Sequence, residues 1–148
     1  DSMRTDAAVI SDTVNTASRM ERLTKHFNVN FILRHETVLK LDDRDRFNLR
    51  YLGQVQAKGK FNTLDIYECF DGDHEEQVIL KKKSLSFFHA GMEAYYAKDM
   101  LAARKFFDQV YQLNPADATA FGFLHKIHGY LSQGVPEGWT GVEVMVSK

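Results

Sequence analysis

Near its start the chain reads RTDAAVISDTVNTASRME, from Arg4 to Glu21. From Val14 onward, apolar side chains recur at every third or fourth position, which is typical of a helix with one buried face. Residues that favour a helix cap precede them, so we predict a helix from Thr13 to His26. The positions that carry this periodicity are Val14, Ala17, Met20, Leu23 and Phe27.

Asn15 and Arg19 are four residues apart, so they point the same way on the predicted helix. Together they offer an amide and a guanidinium fork to one ligand, near a helix start that favours anions. Pairs with this spacing are common on solvated helix faces. The pair alone therefore does not define a site.

The next segment predicts a mixed layer of strands and helices. The predicted elements are a strand at Asn28–Arg34, a short helix at Glu36–Leu41, a strand at Phe47–Ala57, a turn at Gly59 and a strand at Thr63–Phe70. Alternation places Val29, Phe31 and Leu33 on one face of the first strand. In the second strand the same pattern places Phe47, Leu49 and Tyr51 together.

Composition changes near residue 70, and two units are the simplest account. A polar run at Asp71–Glu76 is followed by Lys81–Lys83, a charge pattern typical of a solvated connection. From Leu80 to Gln133 the sequence reads as helix. We predict an α+β chain with an N-terminal part at residues 1–72, a linker at 73–83 and a helical extension at 84–148.

In the extension, five residues stand at the offsets of a tetratricopeptide repeat, in which small residues let two antiparallel helices approach. They are Phe87, Gly91, Ala103, Phe107 and Pro115. A third helix from Asp117 to Leu131 would pack on this hairpin. Its predicted contact residues are Phe121, Leu124 and Ile127. The tail predicts a strand-like strap at Val142–Val146, anchored by Trp139.

Charge and hydropathy narrow the functional classes. The chain has 148 residues, with 19 basic against 20 acidic side chains, and its net charge of −1 argues against nucleic acid as a partner. No apolar run approaches the roughly 18 residues of a membrane helix. The single cysteine, Cys69, fits a reducing compartment, and we predict a cytoplasmic protein.

The stretch from Arg4 to Glu21 resembles the signature of the class III nucleotidyl cyclase catalytic domain, the family of adenylate and guanylate cyclases. The similarity continues through the strand Val29–Leu33, the strand Phe47–Val55 with Leu52-Gly53, the turn Lys58-Gly59-Lys60 and the strand Leu64–Phe70. The resemblance implies that residues 1–72 are the C-terminal portion of a ferredoxin-like cyclase domain. Residues 80–148 resemble an extension found after the cyclase domain in some bacterial members.

The resemblance also implies roles for individual residues. Asn15 matches the asparagine that orients the substrate ribose, and Arg19 matches the arginine that stabilises charge on the α-phosphate. Lys58 matches the lysine that contacts the β- and γ-phosphates. The position that reads the purine base in the family is Ala8 here, which leaves the choice between ATP and GTP open.

Family members hold two divalent ions, Mg²⁺ or Mn²⁺, with two aspartates upstream of the asparagine–arginine helix. Asp6 and Asp12 do not match those positions, so the resemblance predicts no metal ligand in this chain and no activity of the chain alone. The family's sites form between two catalytic domains. The expected partners are therefore a nucleoside triphosphate and a second cyclase protomer.

Other candidate residues are weaker. His125 and His128 are three apart but have no third metal ligand nearby in sequence, and Cys69 has no identifiable histidine partner. A second hypothesis is a non-catalytic interaction or dimerisation module built on the helical hairpin. A third is an inactive piece of a larger protein.

Overall fold

A computed structural model describes residues 20–57 and 62–145 of the chain. Helix α1 is described over residues 20–27. The other elements are β1 (Ile32–Arg34), α2 (His35–Leu39), a 3-10 turn (Arg44–Arg46), β2 (Leu49–Ala57), β3 (Thr63–Cys69), α3 (Glu75–Tyr96), α4 (Met100–Leu113), α5 (Ala118–Gln133) and β4 (Glu143–Met145). This mixed architecture confirms the predicted α+β class. The ferredoxin-like and tetratricopeptide-like assignments stay predictions.

The four strands form one sheet in the order β1-β3-β2-β4. The β3 strand pairs antiparallel with both β1 and β2, whereas β4, from the C-terminal tail, pairs parallel with the end of β2. The tail strand therefore extends the sheet at β2. This confirms a strand within the predicted strap, whose Val146 lies outside the described residues, and supplies the pairing partner that the sequence did not identify.

Helix α1 ends in a backbone motif that shortens the predicted strand after it. Asn28 has a left-handed φ of 59°, and Val29 N–H donates to the Thr24 carbonyl at 3.0 Å. Such a reversal is typical of a helix C-terminus. Consequently the strand begins at Ile32 rather than at Asn28. Val29 is buried as predicted, but the pattern is wrong from Phe31 onward, because Phe31 is 55% exposed and Ile32 is buried.

The alternation predicted for β2 is also wrong. Arg50 and Leu52 are buried, whereas Phe47 is 40% exposed. A β-bulge between Tyr51 and Gly53 inserts one residue, so the next buried side chain is Val55 rather than residue 54. The residues predicted to share a face, Phe47, Leu49 and Tyr51, all precede the bulge. The opposite face is buried there because it carries Arg50, which is paired with Glu68.

Helices α3 and α4 form a hairpin with α5 packed on α4. Gly91 lies against the Phe107 ring, so a Cβ there would overlap the ring. The helix α3 includes residues 75–83, most of the predicted linker. In α5 the buried residues include Phe123, Leu124 and Ile127, whereas Phe121 is 58% exposed, so the predicted contact through Phe121 is wrong.

The reason for the Phe121 error is its place on the helix. The buried stripe of α5 runs through Ala120, Phe123, Leu124 and Ile127 at spacings of three and four, and Phe121 lies outside it. Trp139 behaves as predicted. Its indole N–H donates to the Tyr130 hydroxyl at 3.0 Å, and its ring packs against Tyr95.

Candidate functional site

The residues predicted to bind substrate all lie outside the described part of the chain. Ala8, Asn15 and Arg19 fall within residues 1–19, and Lys58 falls within residues 58–61. The structure does describe the elements beside them, because α1 is described from Met20 and β2 ends at Ala57. The contacts that hold α1 and β2 in place are therefore the part of the candidate site that the structure describes.

Glu143 in β4 connects α1, α5 and β2. Its Oε1 lies 3.0 Å from Nε2 of His26 on α1, and its Oε2 accepts a 2.7 Å hydrogen bond from Nζ of Lys126 on α5. In the sheet, its backbone is the partner of Val55 in β2. One tail residue thus ties together the helix that follows Arg19 and the strand that precedes Lys58.

The hydrogen bond with His26, aided by Lys126, outweighs the effect of burial and lowers the pKa of the Glu143 carboxyl from 4.5 to about 2. The lowered pKa means that the ionised form of Glu143 stabilises the fold. A separate hydrogen bond holds the end of α1, because the Thr119 hydroxyl donates to the Phe27 carbonyl at 2.7 Å.

A pH prediction follows from this pKa. Above pH 4.5 Glu143 contributes its full stabilisation, and this is lost as the pH falls from 4.5 towards 2. Because Glu143 is partly solvated, we expect Glu143→Gln to lower the free energy of unfolding by only about 1 kcal/mol at pH 7. Urea unfolding at several pH values should show this difference shrinking at low pH.

The matched control for this experiment is Glu137→Gln, which changes an exposed glutamate in the same tail. It should not alter the free energy of unfolding. A deficit in Glu143→Gln of equal size at pH 7 and near pH 2 would contradict the assigned role.

Tyr96 joins the helical hairpin to the bulge in β2. Its hydroxyl accepts the Gln54 N–H at 2.8 Å and donates to the Gly141 carbonyl at 3.4 Å. Gly53 has a φ of 107°, and a Cβ there would overlap the Tyr96 hydroxyl. A Cβ on Gly141, whose φ is 82°, would overlap the ring of the same tyrosine. The close approach of α3 to β2 therefore explains why the Leu52-Gly53 pair of the sequence motif contains a glycine.

We expect Gly53→Ala to lower the free energy of unfolding by about 1–3 kcal/mol, because it adds both backbone strain and a steric overlap. Thermal unfolding measures this effect. Gly72→Ala is the matched control, since Gly72 is exposed and a Cβ there would meet nothing within 4 Å. Adding Tyr96→Phe to Gly53→Ala should recover part of the loss. A Gly53→Ala protein as stable as the Gly72→Ala protein would contradict this account.

A buried ionic cluster lies between the sheet and the helices. Arg50, which is fully buried, donates from Nε to Glu68 at 2.8 Å and from Nη1 to Asp117 at 2.6 Å. Lys81 bridges Glu68 and Asp73, with both contacts at 2.6 Å. The cluster joins β2 and β3 to α3 and to the N-cap of α5. It therefore links residues on both sides of the predicted linker.

Burial alone would lower the pKa of Arg50, but the Asp117 and Glu68 carboxylates outweigh it and raise that pKa. This cluster was not predicted from the sequence. A usable signal was present, because the predicted turn at Gly59 joins the two strands, and Arg50 and Glu68 are opposite charges at paired positions of those strands. Asp117, by contrast, was predicted only as the first residue of the third helix.

The described residues contain no group of three histidine, cysteine, aspartate or glutamate side chains placed to hold a metal ion. His125 and His128 lie exposed on α5. Cys69 donates its thiol to Asp71 Oδ2 at 3.2 Å, and burial is the main cause that raises the pKa of this thiol. A raised pKa does not favour a nucleophilic thiolate.

Comparison with known proteins gives three informative similarities. The chain is 28% identical over 124 residues to the "Adenylate cyclase, terminal-differentiation specific" of Dictyostelium discoideum, which covers 83% of the chain and 6% of that protein. It is 41% identical over 66 residues to an adenylate cyclase of Anabaena cylindrica, covering 44% of the chain and 13% of that protein. Adenylate cyclase 1 of Rhizobium meliloti is 37% identical over 65 residues, covering 44% of the chain and 10% of that protein.

These relatives support a relationship to a cyclase family. No family model matches the chain, and no solved structure matches it. The chain spans between 6% and 13% of the length of these three relatives. Since residues 1–72 supply at most 72 of the 124 positions aligned with the Dictyostelium protein, at least 52 come from the part after residue 72. The similarity therefore extends into the helices.

Among the described residues, the helices are too short or too polar to cross a membrane.

Proposed function

We propose that this chain is part of a nucleotidyl cyclase that converts ATP into the 3′,5′-cyclic nucleotide and pyrophosphate for intracellular signalling. The observation that carries the proposal is the similarity to three proteins named adenylate cyclase. The family resemblance of the sequence adds the proposed site residues Asn15, Arg19 and Lys58. ATP is preferred over GTP because all three relatives carry the adenylate name. Ala8 itself offers no hydrogen bond to either base.

In the proposed reaction, the ribose 3′-oxygen attacks the α-phosphorus, and the bond from that phosphorus to the leaving pyrophosphate breaks. Asn15 holds the ribose so that the 3′-oxygen faces the phosphorus. Arg19 lies against the α-phosphate, where negative charge develops in the transition state, and a fixed cation there lowers the barrier. Lys58 balances charge on the departing β- and γ-phosphates.

The described residues contain no group that fits Mg²⁺ or Mn²⁺. The family resemblance implies that two aspartates upstream of the asparagine–arginine helix would hold these ions, and that a second protomer would provide this half of each site. Bound there, the ions would supply activation of the 3′-hydroxyl and charge neutralisation on the triphosphate.

The test is cyclic-nucleotide formation by this chain extended upstream to include the metal-binding strands. With Mn²⁺ present, ATP should give cyclic AMP, and GTP should give less product under the same conditions. No cyclic nucleotide from either substrate, in a folded and dimeric protein, would contradict the proposal. That result would favour the second hypothesis of a non-catalytic interaction module.

A further inference from the structure

An open cleft lies between the β2–β3 hairpin and helix α3. Its volume is about 560 Å³, within the range of small-molecule sites. Helix α3 contributes one stripe of side chains at helical spacing, and the strands contribute two tyrosines and a glutamine. The lining residues are Tyr51, Gln54, Tyr67, His89, Met92, Glu93 and Tyr96. The proposed cyclase chemistry uses none of them.

The strand side of the cleft is aromatic and well fixed. The ring centroids of Tyr51 and Tyr67 are 5.2 Å apart with the rings tilted by 57°, and His35 stacks on Tyr67 at 5.9 Å. Tyr51 donates its hydroxyl hydrogen to Asp65, which enriches its ring in electron density. Burial is the main cause that raises the pKa of Tyr51 and of Tyr67, so both remain neutral phenols. Electron-rich neutral rings attract cations to their faces.

The charge of the cleft is complementary to a cation. Glu93 is an exposed carboxylate in the lining, and it forms no ion pair with any residue of the described ranges. No described lysine or arginine lines the cleft. Burial, with a smaller contribution from Arg50, lowers the pKa of His89, which keeps its ring neutral at pH 7. Among the described residues, Glu93 therefore has no ion-pair partner and the cleft wall carries no lysine or arginine side chain, although Arg44 is near enough to Tyr67 to act on its pKa.

We propose that this cleft binds a small organic cation with an alkylated ammonium group, held against Tyr51 and Tyr67 and paired with Glu93. A hydrated metal ion or an unsubstituted ammonium ion fits less well, because the walls offer aromatic surface rather than several oxygen ligands. An alkylated ammonium places its polarised methyl groups on ring faces and loses little hydration. The volume leaves room for several more carbon atoms of the same molecule.

The experiment is a titration of the full chain with choline, followed by NMR of methionine methyl groups. The methyl of Met92, which lines the cleft, should shift, whereas that of Met100, which is not among the lining residues, should not. We expect saturation with a dissociation constant of about 1 mM or lower. The neutral carbon isostere, with a tert-butyl group in place of trimethylammonium, should bind about tenfold more weakly.

Two variants locate the interaction. Glu93→Gln should weaken choline binding by about threefold to tenfold, whereas Glu76→Gln, an exposed change in the first turn of the same helix, should have no effect. Tyr67→Leu should weaken choline binding by at least about tenfold. Should Tyr67→Leu not fold, the Glu93→Gln result decides alone.

Equal binding of choline and its neutral isostere would overturn the proposal, since the cleft would then be an ordinary apolar groove. Absence of a Met92 shift at about ten times the expected dissociation constant would overturn it as well. The same conclusion follows if Glu93→Gln leaves the choline affinity unchanged.

Discussion

Arg19→Ala should lower kcat for cyclic AMP formation by at least about a hundredfold in the chain extended upstream, with a much smaller change in KM. The reason is that the arginine acts where charge develops on the α-phosphate, so its loss affects the transition state more than the bound substrate. Steady-state kinetics with ATP and Mn²⁺ measures both constants. Arg19→Lys should recover little, because a point charge does not replace a planar fork.

Arg22→Ala is the matched control for this variant. Arg22 lies three residues further along the chain, in α1, and is exposed, so its removal should leave kcat and KM unchanged. Equal activity of the Arg19→Ala protein and the Arg22→Ala protein would contradict the role assigned to Arg19. A rise in KM with kcat unchanged would instead make Arg19 a substrate-binding residue without a transition-state role.

Arg50→Met should lower the free energy of unfolding by about 3–5 kcal/mol, the largest stability effect that we expect in this chain. The change leaves the Glu68 and Asp117 carboxylates buried without their main partner, and Lys81 can compensate only Glu68 directly. It also removes the guanidinium from the Phe88 ring, whose centroid is 4.0 Å from Arg50 Cζ. Urea unfolding followed by circular dichroism gives the magnitude.

The control for Arg50 is Arg104→Met, on the exposed side of α4, which should change the free energy of unfolding by less than about 0.5 kcal/mol. A second comparison combines Arg50→Met with Asp117→Asn. Removing the unpaired carboxylate charge should restore part of the lost stability, because an uncompensated charge is the main cost. An Arg50→Met protein within about 1 kcal/mol of the original would contradict a desolvated ionic cluster.

The sequence predicted the elements that depend on local periodicity. The described part of α1, the extents of both long strands and the helical character of the extension agree with the prediction, because a buried face imposes a spacing of two or of three to four. The face predicted to be buried in β2 does not agree. Trp139 was identified as an anchor because a large aromatic residue in a short tail needs a surface to cover it. The structure supplies that surface at Tyr95 and Tyr130.

The errors arise where a backbone irregularity or a tertiary contact overrides that periodicity. The buried face of β2 carries Arg50, which its charge alone would place in solvent, and the left-handed Asn28 delays the next strand. The burial of Arg50 depends on Asp117, which is 67 residues away in the chain. The resemblance identified Asn15, Arg19 and Lys58, which no spacing argument could have assigned to the ribose or the phosphates of a nucleotide, and their roles stay predictions.

Complementation between two inactive variants tests most directly whether this chain supplies Arg19 to a site shared with a second protomer. One variant carries Arg19→Ala, and the other carries alanine at the upstream metal-binding aspartates; both contain the upstream extension. Mixing equal amounts should restore about a quarter of the original activity, because half of the dimers then contain one intact site. A mixture as inactive as its components, although mixed dimers have formed, would contradict the account.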